Sequence, residues 1–97
     1  MATRVILVED DSDDRDLFAT FFENRKDILL LPPVNNGLEL IKYLQEIASE
    51  RDLPDLIVLD QNMPMMNGKQ TLHFLKSHAR FSRIPAVIYS TYTDSIL

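Results

Sequence analysis

Val5-Ile6-Leu7-Val8, Leu56-Ile57-Val58-Leu59 and Ala86-Val87-Ile88-Tyr89 are each apolar without a break. Short runs of this kind read as strands buried on both faces, whereas the segments between them repeat apolar residues every three or four positions, the period of an amphipathic helix. Ser12 is placed to cap a first helix, with Asp13 and Asp14 in the first turn at the positive end of the dipole. Leu17, Phe18, Phe21 and Phe22 then fall on one helical face, expected to pack on the sheet. Residues 28–31 predict a further strand, and Pro32 and Pro33 remove two backbone donors after it, which places it at a sheet edge. Asn35-Asn36-Gly37 signals a turn, followed by a helix with Leu38, Ile41, Leu44 and Ile47 or Ala48 inward. A third helix after Asn67-Gly68 turns Leu72 and Leu75 inward. Strands alternating with helices require right-handed crossovers, giving an α/β fold with a parallel sheet and helices on both faces.

Polar residues at the strand ends carry the chemistry. The first run ends in Glu9-Asp10-Asp11 and the third strand in Asp60, so parallel neighbours bring these carboxylates together at the carboxyl edge of the sheet, where ligand sites collect. Crowded carboxylates raise one another's pKa unless a positive charge relieves them. Magnesium is the natural relief: it takes oxygen ligands, holds one or two carboxylates and grips phosphoryl groups. Asp10 and Asp60 suit that role, with Glu9 close enough to act through water. An aspartate there can also serve as a nucleophile and become an aspartyl phosphate. Ser90 and Thr91 follow the last strand, and a hydroxyl at a strand mouth can hydrogen-bond a phosphoryl oxygen and sense phosphorylation. Ser90 is the better placed of the two.

Taken together, Val5-Ile6-Leu7-Val8-Glu9-Asp10-Asp11, Leu56-Ile57-Val58-Leu59-Asp60-Gln61-Asn62-Met63-Pro64, Asn67-Gly68 and Ile84-Pro85-Ala86-Val87-Ile88-Tyr89-Ser90 resemble successive signatures of the receiver domain of two-component response regulators, and more narrowly of small stand-alone receivers. The resemblance implies a flavodoxin-like, doubly wound sheet of order 2-1-3-4. It aligns Asp60 with the phosphoacceptor, Glu9 and Asp10 with the acidic pair, Asn62 with the residue whose backbone carbonyl completes the magnesium site, and Ser90 with the switch hydroxyl. A histidine kinase or phosphotransfer protein is the implied phosphoryl donor. The family continues through a fifth strand and final helices, so residues 1–97 are expected to be a single receiver domain incomplete at its C-terminus. The lysine that the family carries on its fifth strand has no counterpart, since Lys69 and Lys76 both fall on the third helix. An uncovered fourth strand is an open edge, and self-association through it is expected.

Composition narrows the partners. The chain has 97 residues, 45% hydrophobic and 26% charged, which suits one globular domain. A net charge of −5, with Glu9, Asp10, Asp11, Asp13, Asp14 and Asp16 in close succession, disfavours nucleic acid and anionic membranes as partners. There is no cysteine, which removes disulfides and thiolate metal sites. The first strand starts at Val5, no apolar run approaches the roughly 20 residues that span a bilayer, and a cytoplasmic location is expected. His73 and His78 are assigned to a helix surface.

Three other functions compete with the phosphoacceptor reading. A phosphatase of the haloacid-dehalogenase type also uses a strand-end aspartate, but needs an acid two positions later, where this chain has Asn62. A flavin carrier needs donors after the first strand, where Glu9-Asp10-Asp11 would repel its phosphate. A non-phosphorylated interaction module is the remaining alternative. Phosphoryl acceptance is not turnover of a diffusible substrate, so the expectation is that the chain is not an enzyme.

Overall fold

The computed structural model describes residues 2–90. Four strands, β1 (Thr3–Val8), β2 (Ile28–Leu30), β3 (Leu56–Asp60) and β4 (Ala86–Tyr89), alternate with α1 (Ser12–Phe22), α2 (Gly37–Gln45) and α3 (Gly68–Ser77). All neighbours pair in parallel, in the order β2-β1-β3-β4. This is the expected sheet, with β2 at an edge: Leu31 still donates to Val5 O at 2.8 Å, and the two prolines then interrupt the ladder. It resumes at Val34, whose N–H donates to Leu7 O at 3.1 Å and whose carbonyl accepts from the Glu9 N–H at 2.9 Å.

Side-chain alternation along the strands makes two apolar layers. Ile6, Val8, Ile57 and Leu59 face α2 and α3 and pack with Leu40, Leu44, Leu75, Phe81 and Ile84. Val5, Leu7 and Val58 face the other way, against Phe18 of α1 and Tyr89. Each such fully buried aliphatic side chain contributes roughly 1.5–3 kcal/mol. Leu72 and Leu75 of α3 turn inward as expected. No helix among the described residues is long and apolar enough to cross a membrane.

Three local expectations need correction. Asp11, not Ser12, caps α1, its Oδ1 accepting from the N–H groups of Asp13 at 2.8 Å and Asp14 at 3.2 Å. The Asp11 N–H in turn donates to Glu9 Oε2 at 3.1 Å, and this anchors Asp11 at the helix start. The inward face of α2 is also rotated from the one expected, with Leu40 and Leu44 buried and Leu38 47% exposed. Gly37 decides that rotation: a Cβ there would lie 2.0 Å from Thr71 Oγ1, so this edge of α2 sits against α3 and carries the positions three and seven residues on into the core.

The third correction concerns α1. Phe18 packs on the sheet, but Leu17 and Phe21 are 70% and 76% exposed. The apolar stripe spans more of the helix circumference than the sheet face can cover, and the row from Leu17 to Phe21 lies beyond it, beside β4.

The rotation of α2 gives a direct test by chemical denaturation. Leu40→Ala should cost about 2–5 kcal/mol, whereas Leu38→Ala should stay within about 0.5 kcal/mol of the parent. Equal losses would contradict the observed helix phase.

Candidate functional site

The parallel register builds the site. Val8 pairs with Leu59, so the next step along both strands puts Glu9 beside Asp60, and Asp60 in turn pairs with Tyr89. Glu9, Asp60 and Tyr89 share the parity of Val5, Leu7, Val58 and Val87, so all three point to the α1 side of the sheet. They form one row across three strands.

The two inner carboxyl groups are out of water: Glu9 is 0% and Asp60 1% exposed, whereas Asp10 is exposed. One carboxylate oxygen from each of Glu9, Asp10 and Asp60 lies within 4.8 Å of the other two. Burial pushes Glu9 up to about 7, an effect opposed by the hydrogen bonds from Tyr89 and Asp11 and reinforced by Asp60. The Tyr89 hydroxyl donates to Glu9 Oε1 at 2.5 Å. Burial, then that hydrogen bond, raise the Tyr89 phenol above its ordinary value.

A chain of contacts joins Asp60 to the end of β4. The Asn62 N–H donates to Asp60 Oδ1 at 3.1 Å, and the Asn62 side-chain amide donates to Ser90 Oγ at 3.2 Å. Ser90 is thus one residue removed from Asp60. Thr91 lies outside the described residues.

The loop that carries Asn62 is tightly held. Gln61 donates to Tyr89 O at 2.8 Å, and its side-chain oxygen accepts from the Lys69 N–H at 2.9 Å. Asn67 and Gln70 cap α3 reciprocally. Gly68 has no room for a side chain, since a Cβ would stand 2.9 Å from Asp60 O. Met65 takes a left-handed backbone with φ of 70°, at a cost of about 1–2 kcal/mol.

The structure therefore brings Glu9, Asp10 and Asp60 together, and Asn62 bridges to Ser90. Three hard oxygen donors, two of them buried beside a like charge, fit a hard divalent cation such as magnesium. Lys69 and Lys76 lie on α3 as expected. The Lys76 ammonium is tied to Ser82 O and Ile84 O, and Lys69 lines a shallow cleft with Gln61, Ile88, Tyr89 and Ser90. His73 is exposed, while His78 is half-buried and stacks on Phe81 with centroids 4.3 Å apart. A cleft of about 490 Å³ lies at the opposite end of the sheet among Arg51, Arg80, Arg83, Glu50 and Asp55. It holds none of the three clustered carboxylates.

Sequence reading missed two members of this neighbourhood. Arg15 Nε donates to Glu9 O at 2.8 Å, and Tyr89 reaches over Asp60 to Glu9. Tyr89 was readable as a strand residue, and its parity in the β4 register was the available signal for its direction.

Comparison with known proteins gives one consistent result. The model of the response regulator receiver domain family matches residues 5–96. A protein-glutamate methylesterase/protein-glutamine glutaminase of Bacillus licheniformis is 31% identical over 91 residues, covering 94% of this chain but 23% of its own length. The chain thus spans about a quarter of that relative. Among solved structures, the phosphorylated cyanobacterial phytochrome response regulator RcpA superposes with a TM-score of 0.81 at 31% identity, over 97% of this chain and 69% of its own. The Mn(2+)-bound response regulator Rcp1 superposes with a TM-score of 0.79 at 29% identity, over 95% and 68% of the two chains.

Glu9 contributes to the pH dependence of folding without added metal. Its carboxyl titrates near 4.5 unfolded and about 7 folded, so between these values the folded state holds more protons and stability falls as pH rises. Thermal unfolding across that window should show the decline, and Glu9→Gln should flatten it. A profile that rises through the window in the parent would contradict the buried, crowded state of Glu9.

Proposed function

Since the chain belongs to the response regulator receiver domain family, we propose that it is the phosphoacceptor of a two-component phosphorelay, taking a phosphoryl group onto Asp60 from a histidine kinase or phosphotransfer protein. The observation that carries this reading is the convergence of Glu9, Asp10 and Asp60 oxygens within 4.8 Å at the mouth of the sheet. The neighbour RcpA is phosphorylated and the neighbour Rcp1 holds Mn(2+), and both states suit the pocket seen here.

In the transfer, an Asp60 carboxylate oxygen forms a bond to phosphorus as the phosphorus–nitrogen bond of the donor's phosphohistidine breaks, and the released imidazole nitrogen takes up a proton. Glu9, Asp10, Asp60 and the Asn62 backbone carbonyl would hold Mg2+. When bound, that ion supplies positive charge to the phosphoryl oxygens and the carboxylates. Asn62 holds Asp60 Oδ1 through its N–H and reaches Ser90 through its amide. Ser90, with Thr91 beside it in sequence, is the hydroxyl that moves toward the phosphoryl group and reshapes a partner-binding face.

This is a switch rather than an enzyme, and the esterase and glutaminase activities named for the Bacillus relative are not carried over to a chain that spans 23% of it. A cytoplasmic setting, where such kinases present their phosphohistidine, follows from the same reading. The strong negative charge argues against nucleic acid or anionic membrane as the output partner. Self-association of the 97-residue chain through β4 belongs to the same proposal. Its support is that β4 has no neighbour on its outer side among the described residues.

Treatment with acetyl phosphate and magnesium should add one phosphoryl group by intact mass, and Asp60→Asn should abolish the gain. A full gain in that variant would move the acceptor elsewhere. Magnesium affinity should fall in Asp10→Ala, and in the parent should weaken as pH drops below about 7 because Glu9 takes up a proton. Light scattering at rising concentration should show association. A strict monomer at every concentration would count against the open edge.

A further inference from the structure

Tyr89 is the member of the acidic row that phosphoacceptance does not use. Its ring lies against α1, with its centroid 6.0 Å from that of Phe18. Its hydroxyl meets Glu9 Oε1 at 2.5 Å, while the Asp11 N–H holds Glu9 Oε2 at 3.1 Å. Both oxygens of Glu9 are therefore fixed by a donor from opposite sides, one from β4 and one from the start of α1. Each carboxylate oxygen has two acceptor directions, so Oε1 keeps one free for a cation or its bound water while the hydroxyl stays in place.

The same ring forms a wall of an apolar groove of about 310 Å³, with Asp14, Leu17, Phe18 and Phe21. One side chain thus touches a buried ligand group at its tip and an open surface groove along its flank.

We propose that Tyr89 is a positioning residue for divalent-cation binding, its hydroxyl holding Glu9 aimed at Asp60 from a ring seated between α1 and β4. The assignment rests on the reading of Glu9, Asp10 and Asp60 as a cation site. Outer hydrogen-bond partners of this kind orient ligand groups, and their loss typically weakens metal binding 10–100-fold. A tyrosine kept solely for packing would leave affinity unchanged when its oxygen is removed.

Tyr89→Phe keeps the ring and removes the hydroxyl. Magnesium titration by calorimetry should show affinity at least about 10-fold lower in this variant, with the metal-free protein still folded and unfolding cooperatively. A second readout is emission. A carboxylate hydrogen bond quenches a phenol, and a cation drawing on Glu9 relieves that quenching, so tyrosine emission of the parent should rise with magnesium at the calorimetric midpoint. Tyr43 and Tyr92 are common to parent and variant, and the rise should be absent from Tyr89→Phe. It should also vanish in Glu9→Gln, which removes the charged acceptor and leaves the phenol. Parent-like affinity in Tyr89→Phe, or an emission rise that persists in either variant, would overturn the positioning role alone. A parent protein that binds no magnesium would overturn the cation site and this role together.

Discussion

The pairing of Val8 with Leu59 in a parallel sheet leaves Glu9 and Asp60 side by side at the strand ends, pressed together and shielded from water. Two buried carboxyl groups at that distance repel if both are charged, and much of the surrounding structure answers that repulsion. Tyr89 and the Asp11 N–H donate to Glu9, the Asn62 N–H donates to Asp60, and Glu9 retains a proton up to about 7. These contacts tie β4, the start of α1 and the loop after β3 to one small region. A divalent cation would supply the missing positive charge, so the frustration is also what makes the pocket receptive.

Rigid surroundings make that crowding persistent. Gly68 lets α3 begin against the carbonyl of Asp60, and the Asn67–Gln70 cap fixes the helix start that the loop must reach. Gln61 ties the loop to Tyr89 on one side and to Lys69 on the other. By contrast, the α1 flank is loosely covered, with Leu17 and Phe21 open to solvent. The chemistry sits on the stiff part of the molecule and the exposed apolar surface beside it, with Tyr89 common to both.

Strand identity and the acidic cluster were legible in the sequence because unbroken apolar runs ending in acids leave little freedom in a parallel sheet, whereas the strand order came from the resemblance to receiver domains. The edge position of β2 was legible from Pro32 and Pro33. The rotation of α2 was not, because Leu38 and Leu40 are equally apolar and the choice between them is made by the approach of Gly37 to Thr71 on α3. The cap at Asp11 was missed because Ser12 and Asp11 are equivalent capping residues in sequence, and the hydrogen bond from Asp11 to Glu9 separates them. Tyr89 was read as a strand former. Its reach over Asp60 to Glu9 depends on three-strand register, which local pattern does not encode.

Paramagnetic NMR tests most directly whether the crowded carboxylates at the mouth of the sheet are the cation site. Trace manganese added to isotope-labelled protein should first broaden the amides of Glu9, Asp10, Asp60 and Asn62. Residues around the arginine-lined cleft at the far end should stay sharp, and excess magnesium should reverse the broadening. Broadening centred elsewhere, or spread evenly over the acidic surface of α1, would contradict the account.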